Sequence, residues 1–104
     1  MQYQNDYKTT KWLRLRESVL RRDHYLCQLS KRYGKKKQAE MVHHIFPKDD
    51  FPEYKWESWN LISLSNEMHN TMHDRSGDEL TPAGIDLLRR TARKNGIPIP
   101  QKYL

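Results

Sequence analysis

Apolar residues recur along this chain with two different periods, and each change of period marks a change of element. Between residues 11 and 22, Trp12, Leu15 and Val19 share one helical face. Leu13 and Leu20 widen that stripe, while Lys11, Arg14, Ser18 and Arg21 lie off it. With Thr10 as cap, the pattern predicts a helix over residues 11–22 that follows a polar, frayed segment over residues 1–9. Residues 25–29 have short strand character. Residues 39–45 read as a second strand that stops by Pro47, which lacks the amide hydrogen a ladder needs. Residues 48–59 are acidic and aromatic and contain Pro52, which predicts an ordered loop rather than a floppy linker. Leu61 to Leu64 is a run suited to a buried strand, and Ser65 or Asn66 can cap a helix reaching His73. After a polar turn containing Gly77, Thr81 and Pro82 stand as cap and first residue of a helix over residues 82–94. Leu80 is placed to pack on Ile85 across that cap, Ile85, Leu88 and Ala92 face the core, and Gly96 is the stop. Residues 97–104, with Pro98 and Pro100, read as an extended tail.

Composition narrows this picture. A chain of 104 residues suits one domain, residues 1–104, with a thin core. A hydrophobic fraction of 36% and a mean hydropathy of -1.06 would ordinarily suggest disorder, yet three Trp, six Tyr and two Phe supply large apolar surfaces. The net charge of +6 points toward a nucleic-acid partner, although charge alone does not decide it. Arg21, Arg22, Lys35, Lys36 and Lys37 are candidate DNA-binding residues; a solvated helix end and a solvated turn are the plainer readings of the same bases. Cys27 is the sole cysteine, so no internal disulfide forms, and no signal-like stretch opens the sequence. A cytoplasmic location is the expectation. No apolar run approaches the roughly 20 residues that span a bilayer.

Four of the five histidines fall into two tight groups, His43-His44 and His69-x-x-x-His73. Residues four apart on a helix share a face, so His69 and His73 can direct both imidazoles at one ion. An isolated pair of this kind is more often incidental. His43 and His44, on a strand, point to opposite faces and therefore do different jobs. One can complete a three-imidazole site while the other, uncoordinated, takes a proton.

Taken in order, His43-His44, then Trp59-Asn60-Leu61, then His69-Asn70-x-x-His73 resembles the HNH signature of the ββα-metal, or His-Me finger, nucleases. Its spacing is similar to that of the colicin nuclease domains. Residues 39–47 and 60–64 resemble small phage HNH endonucleases encoded beside packaging genes. The resemblance covers residues 21–75. It implies an α+β fold, in which a two-stranded antiparallel hairpin and a metal-binding helix are flanked by an N-terminal and a C-terminal helix. It also implies metal ligands at His43, His69 and His73, a general base at His44, and a loop anchor at Asn60. Arg75, two residues past the last ligand, becomes a candidate phosphate contact. The implied activity is metal-dependent hydrolysis of DNA phosphodiesters, by nicking or by cutting both strands, with a phage terminase or other packaging protein as partner and a monomeric enzyme. Three neutral imidazoles suit zinc, nickel, cobalt or manganese better than magnesium as the one divalent ion.

The sequence departs from the phage pattern at the two C-x-x-C pairs that hold a structural zinc. Those places read Cys27-x-x-Ser30 and Ser65-x-x-Met68, so no structural zinc is expected, Cys27 becomes a small hydrophobe, and Leu29 and Met68 help to replace the staple. The alternative function is a non-catalytic, metal-stabilised DNA-binding module. That module has no need of a fourth imidazole.

Overall fold

The computed structural model describes residues 9–77 and 79–104; the frayed segment expected over residues 1–9 thus falls outside it except for Thr9. Helix α1 is Thr10–Arg22, and its cap is Thr9, one residue earlier than expected, whose hydroxyl accepts from the Trp12 amide at 3.1 Å. Trp12, Val19 and Leu20 are buried as the apolar stripe predicts. Leu13 is 53% exposed, so the stripe is narrower than the sequence suggests.

The strand expected over residues 25–29 does not form. His24 and Tyr25 both adopt left-handed backbone, φ 58° and 57°, and this reverses the chain after α1. Leu26 keeps an isolated bridge to Gln38, and Gln28–Arg32 forms the short helix α2. The β propensity of the segment yields to that reversal, which the Gln28 side chain fastens by donating to the Asp23 and Leu26 carbonyls.

The hairpin consists of β1, Met41–His44, and β2, Leu61–Leu64, paired antiparallel with His43 opposite Ile62 and His44 opposite Leu61. β1 is shorter than the expected 39–45 strand. β2 has the expected bounds. The intervening residues contain two 3-10 turns, Pro52–Tyr54 and Ser58–Asn60. They pack about Phe46, which meets Phe51, Tyr54 and Trp59 edge to face at 5.3, 5.2 and 5.8 Å. Burying Phe46 completely contributes about 1.5–3 kcal/mol, which orders a loop that its sequence marks as aromatic.

After β2, Ser65 caps helix α3, Asn66–Asn70, accepting from the Met68 amide at 3.2 Å. The helix stops three residues short of the expected His73. Helix α4, Pro82–Asn95, has the predicted Thr81 cap, Pro82 in its first turn, and Gly96 in the left-handed conformation at φ 68°. Leu80 and Ile85 both join the main core, as the packing across the cap requires. The tail is not simply extended: Gln101–Tyr103 makes a 3-10 turn that buries Tyr103.

The main core joins α2, the hairpin and α4 through Leu29, Phe46, Leu64, Met72, Leu88 and Tyr103. Trp12, Val19 and Leu61 form a second cluster where α1 meets the hairpin. A polar strut ties α1 to β2. Asp23, 7% exposed, accepts from Arg22 at 2.8 and 2.9 Å and from the Ser63 amide at 3.0 Å.

Cys27, Ser30, Ser65 and Met68 converge on one place. Ser30 Oγ lies 3.3 Å from Cys27 Sγ, Ser65 also bonds to the thiol, and Leu29 and Met68 belong to the surrounding core. Burial raises the Cys27 pKa, but bonds from Ser30 and Ser65 outweigh it and hold the thiol below its ordinary value. Among the described residues, no helix is long and apolar enough to cross a membrane.

Candidate metal centre

β1 alternates its side chains, and this separates the adjacent histidines as the sequence requires. His43 turns inward, 2% exposed, toward the segment that carries His69 and His73. The three rings form a nearly equilateral triangle, with centroid separations of 5.2, 5.3 and 5.4 Å. One nitrogen from each lies within 4.8 Å of the others. Nitrogens bound tetrahedrally at about 2.1 Å would lie ~3.4 Å apart, so small ring rotations close the triangle onto an ion.

His43 Nε2 is buried and makes no hydrogen bond among the described residues. An orphaned imidazole nitrogen inside a fold is costly unless something binds it, and two further imidazoles aimed at the same point supply the other ligands. Burial, and then the neighbouring His69, His73 and His44, push the His43 pKa down to about 3. Burial and His73 lower that of His69. Neutral rings are the form that binds a metal.

His69 lies on α3, but His73 does not, so the pair is not the single-helix pair expected from the spacing. The helix tightens into a last turn, with the Thr71 hydroxyl donating to the Met68 carbonyl at 2.7 Å, and His73 then forms an isolated bridge to Leu80. The start of α4 fixes this exit. The Thr81 amide donates to the Met72 carbonyl at 3.0 Å. Gly84 faces the same oxygen so closely that a Cβ there would lie 2.4 Å from it.

His44 faces the other way. Its ring stacks on Trp12, with centroids 5.4 Å apart and planes within 17°, and its Nε2 lies 3.1 Å from the Lys55 carbonyl. A carbonyl only accepts, so this bond places a proton on Nε2, and in the neutral ring the lone pair is then on Nδ1. Trp12 and the Lys55 carbonyl are the parts of the site that sequence reasoning missed. Trp12 reads as a core residue of α1, and nothing in the sequence places residue 55 beside residue 44.

Asn60 is fully buried and grips both sides of the loop. Its Oδ1 accepts from the Phe46 amide at 2.7 Å, and its Nδ2 donates to the Phe46 and Tyr54 carbonyls at 3.1 and 3.2 Å. The four clustered histidines line an open cleft of about 400 Å3, together with Lys48, Asp49, Asp50 and Gly77.

The candidate phosphate contacts are scattered. Arg22 is exposed, but its guanidinium donates to Asp23 and to the Ser58 and Leu61 carbonyls at 2.9 and 2.8 Å and so ties the frame together. Arg21 is exposed and lies 3.6 Å from Glu17. Lys35 and Lys36 are exposed, and Lys37 lies 3.6 Å from Glu67 on α3. Arg75 is exposed in the turn that carries Gly77 to the cleft.

No known family profile matches the chain, and neither does any curated protein. Among solved structures, the chain is similar to the HNH endonuclease of the deep-sea thermophilic bacteriophage GVE2, crystallised with a manganese ion. The two are 28% identical, the match covers 88% of this chain and 79% of that one, and the TM-score is 0.61. With its hairpin, its helices and its triangle of histidines, the chain has an HNH endonuclease-like fold.

Proposed function

We propose that this protein is a metal-dependent DNA endonuclease in which His43, His69 and His73 hold one divalent ion and His44 is the general base. The observation that carries this reading is the division of four imidazoles. Three converge on one point, while the fourth lines the same cleft with its lone pair on a nitrogen turned away from the Lys55 carbonyl.

The ion would supply Lewis-acid stabilisation of charge on the phosphoryl and leaving oxygens. The chain's own residues do the rest. Neutral His44 accepts a proton from water at Nδ1 as that water attacks phosphorus, and the 3′ oxygen departs in line and takes a proton from solvent. The Lys55 carbonyl keeps the ring in the tautomer that makes this possible. Asn60 holds the loop that presents that carbonyl. The products carry 5′ phosphate and 3′ hydroxyl ends.

DNA contacts are assigned to Arg21, Lys35, Lys36, Lys37 and Arg75, with Arg22 left to the frame. The ion is assigned to the set zinc, nickel, manganese or magnesium, and manganese in the similar structure makes it the first to test. The phage origin of that structure and the resemblance in residues 39–47 and 60–64 support a phage enzyme acting beside a terminase or other packaging protein. We assign it further as a single-domain, cytoplasmic monomer. A non-catalytic, metal-stapled DNA-binding module has no need of a fourth imidazole in the cleft beside the three ligands.

The test is relaxation of supercoiled plasmid by the wild type and by His69→Ala in manganese, nickel, zinc and magnesium. Nicked or linear product from the wild type, lost in His69→Ala, is expected. Plasmid that is bound yet left intact in every metal would establish the module instead.

A further inference from the structure

The cleft does not end at His69. A second hollow of about 430 Å3 lies between α1 and β1, lined by Trp12, Leu13, Arg16, Met41, Val42 and His69. It shares Val42 and His69 with the histidine cleft, so the two form one continuous surface across a metal ligand. The sheet has two strands, so among the described residues β1 has no strand on its other side to close this path.

The chemistry of the hollow is one-sided. Leu13 should have been buried by its place in the apolar stripe of α1, yet it is 53% exposed at the rim of this hollow. Arg16 is half-buried there, and among the described residues no carboxylate forms an ion pair with it. Among the described residues, no acidic side chain lines this part. Asp49 and Asp50 line the histidine cleft instead. A cation set among Leu13, Met41 and Trp12 matches the alternation of phosphate with sugar and base in a nucleic-acid strand.

We infer that the hollow between α1 and β1 is a subsite for the DNA strand adjoining the cleaved phosphodiester, with Arg16 on a phosphate and Leu13 and Met41 against the neighbouring sugar or base. The assignment rests on the nuclease reading for its substrate. It adds α1 to the binding surface, at a point roughly 9 Å of helix rise from Arg22.

The test uses a fluorescein-labelled 20-base-pair duplex bound by the His44→Ala protein with manganese, followed by anisotropy from 50 to 200 mM KCl, alongside plasmid cleavage by the wild type. Removing one phosphate contact flattens the plot of log affinity against log salt by about 0.9, which makes Arg16→Ala lose about 3.5-fold more affinity at 50 mM than at 200 mM. Arg16→Lys should keep the slope. Leu13→Ala should weaken binding with the slope unchanged. Lys94→Ala, in a hollow that shares no residue with the cleft, should leave the slope as it is. An unchanged slope in Arg16→Ala, or an equal change in Lys94→Ala, overturns the subsite even if the wild type cleaves plasmid. A flattened slope without wild-type cleavage keeps the subsite as a DNA-binding surface and removes the nuclease reading. Absence of duplex binding removes the subsite, and wild-type cleavage then decides the fate of the nuclease separately.

Discussion

Replacing Gly84 by alanine sets two ordinary effects against each other, and the structure says which wins. Alanine inside a helix is favoured over glycine by about 0.5–1 kcal/mol. Here, however, the added Cβ would stand 2.4 Å from the Met72 carbonyl oxygen, with Leu80 side-chain atoms at 3.1 and 3.3 Å. An acceptable carbon-to-oxygen contact is about 3.3 Å, so α4 and the Met72 peptide must separate by roughly 0.9 Å. The obstacle is backbone and cannot rotate away. The same carbonyl accepts the Thr81 amide at 3.0 Å, and a separation of that size breaks the bond. Overpacking of about 1–3 kcal/mol and a lost hydrogen bond of about 0.5–1.5 kcal/mol exceed the helix gain, leaving a net loss of about 2 kcal/mol. For a domain of this size that is a fall in Tm on the order of 10 °C. Because Met72 directly precedes His73, manganese affinity measured by calorimetry should fall as well. Thermal unfolding of Gly84→Ala checks the first part, with exposed Ala83→Gly as the control that loses helix propensity without approaching the centre. A Gly84→Ala protein as stable as wild type, with unaltered metal binding, would refute the reasoning.

Three further outcomes follow from the same structure. Asp23→Asn should lose about 2 kcal/mol, because the Arg22 guanidinium and Ser63 amide lose a charged acceptor. Burial raises the Asp23 pKa, but Arg22 and Ser63 outweigh it and leave the folded value below 3.8; its contribution is thus present above the ordinary carboxylate range and lost as pH falls through the folded value, so the Tm gap between variant and wild type should close in strong acid. For His43, the folded pKa of about 3 lies below the unfolded 6.5, so the unfolded chain binds the extra proton between them. Between 6.5 and about 3 this group should therefore lower the stability of the metal-free protein by up to about 1.4 kcal/mol per pH unit, and His43→Phe, followed by urea unfolding in chelator, should remove its share and leave that of His69. Trp12→Leu should slow plasmid cleavage about tenfold at unchanged manganese affinity, Trp12→Phe should restore most of the rate, and neither should matter once His44 is alanine.

Legibility in the sequence followed the range of the forces involved. Local signals were readable: Thr81-Pro82 and Gly96 bound α4, Ser65 caps α3, and β2 has the run of residues expected. The identities of the histidines were readable too, because ordered spacing survives without the fold. Features set by tertiary contact were not. The left-handed backbone at His24 and Tyr25 converts an expected strand into α2, the grip of Thr81 and Gly84 on Met72 takes His73 off its helix, and Leu13 leaves the core for the rim of a hollow. The tail turns inward because Tyr103 finds a place in the core. Trp12 and the Lys55 carbonyl meet His44 across sequence separations of 32 and 11, which only the fold closes.

The account stands most directly on the separation of one imidazole from the other three, and His44→Ala measures it. The variant should bind manganese with wild-type affinity and stoichiometry in calorimetry, and should cleave plasmid at least about a hundredfold more slowly at equal occupancy. Full cleavage by the metal-loaded His44→Ala protein would contradict the assignment of the base, and loss of its manganese would contradict the division of the histidines.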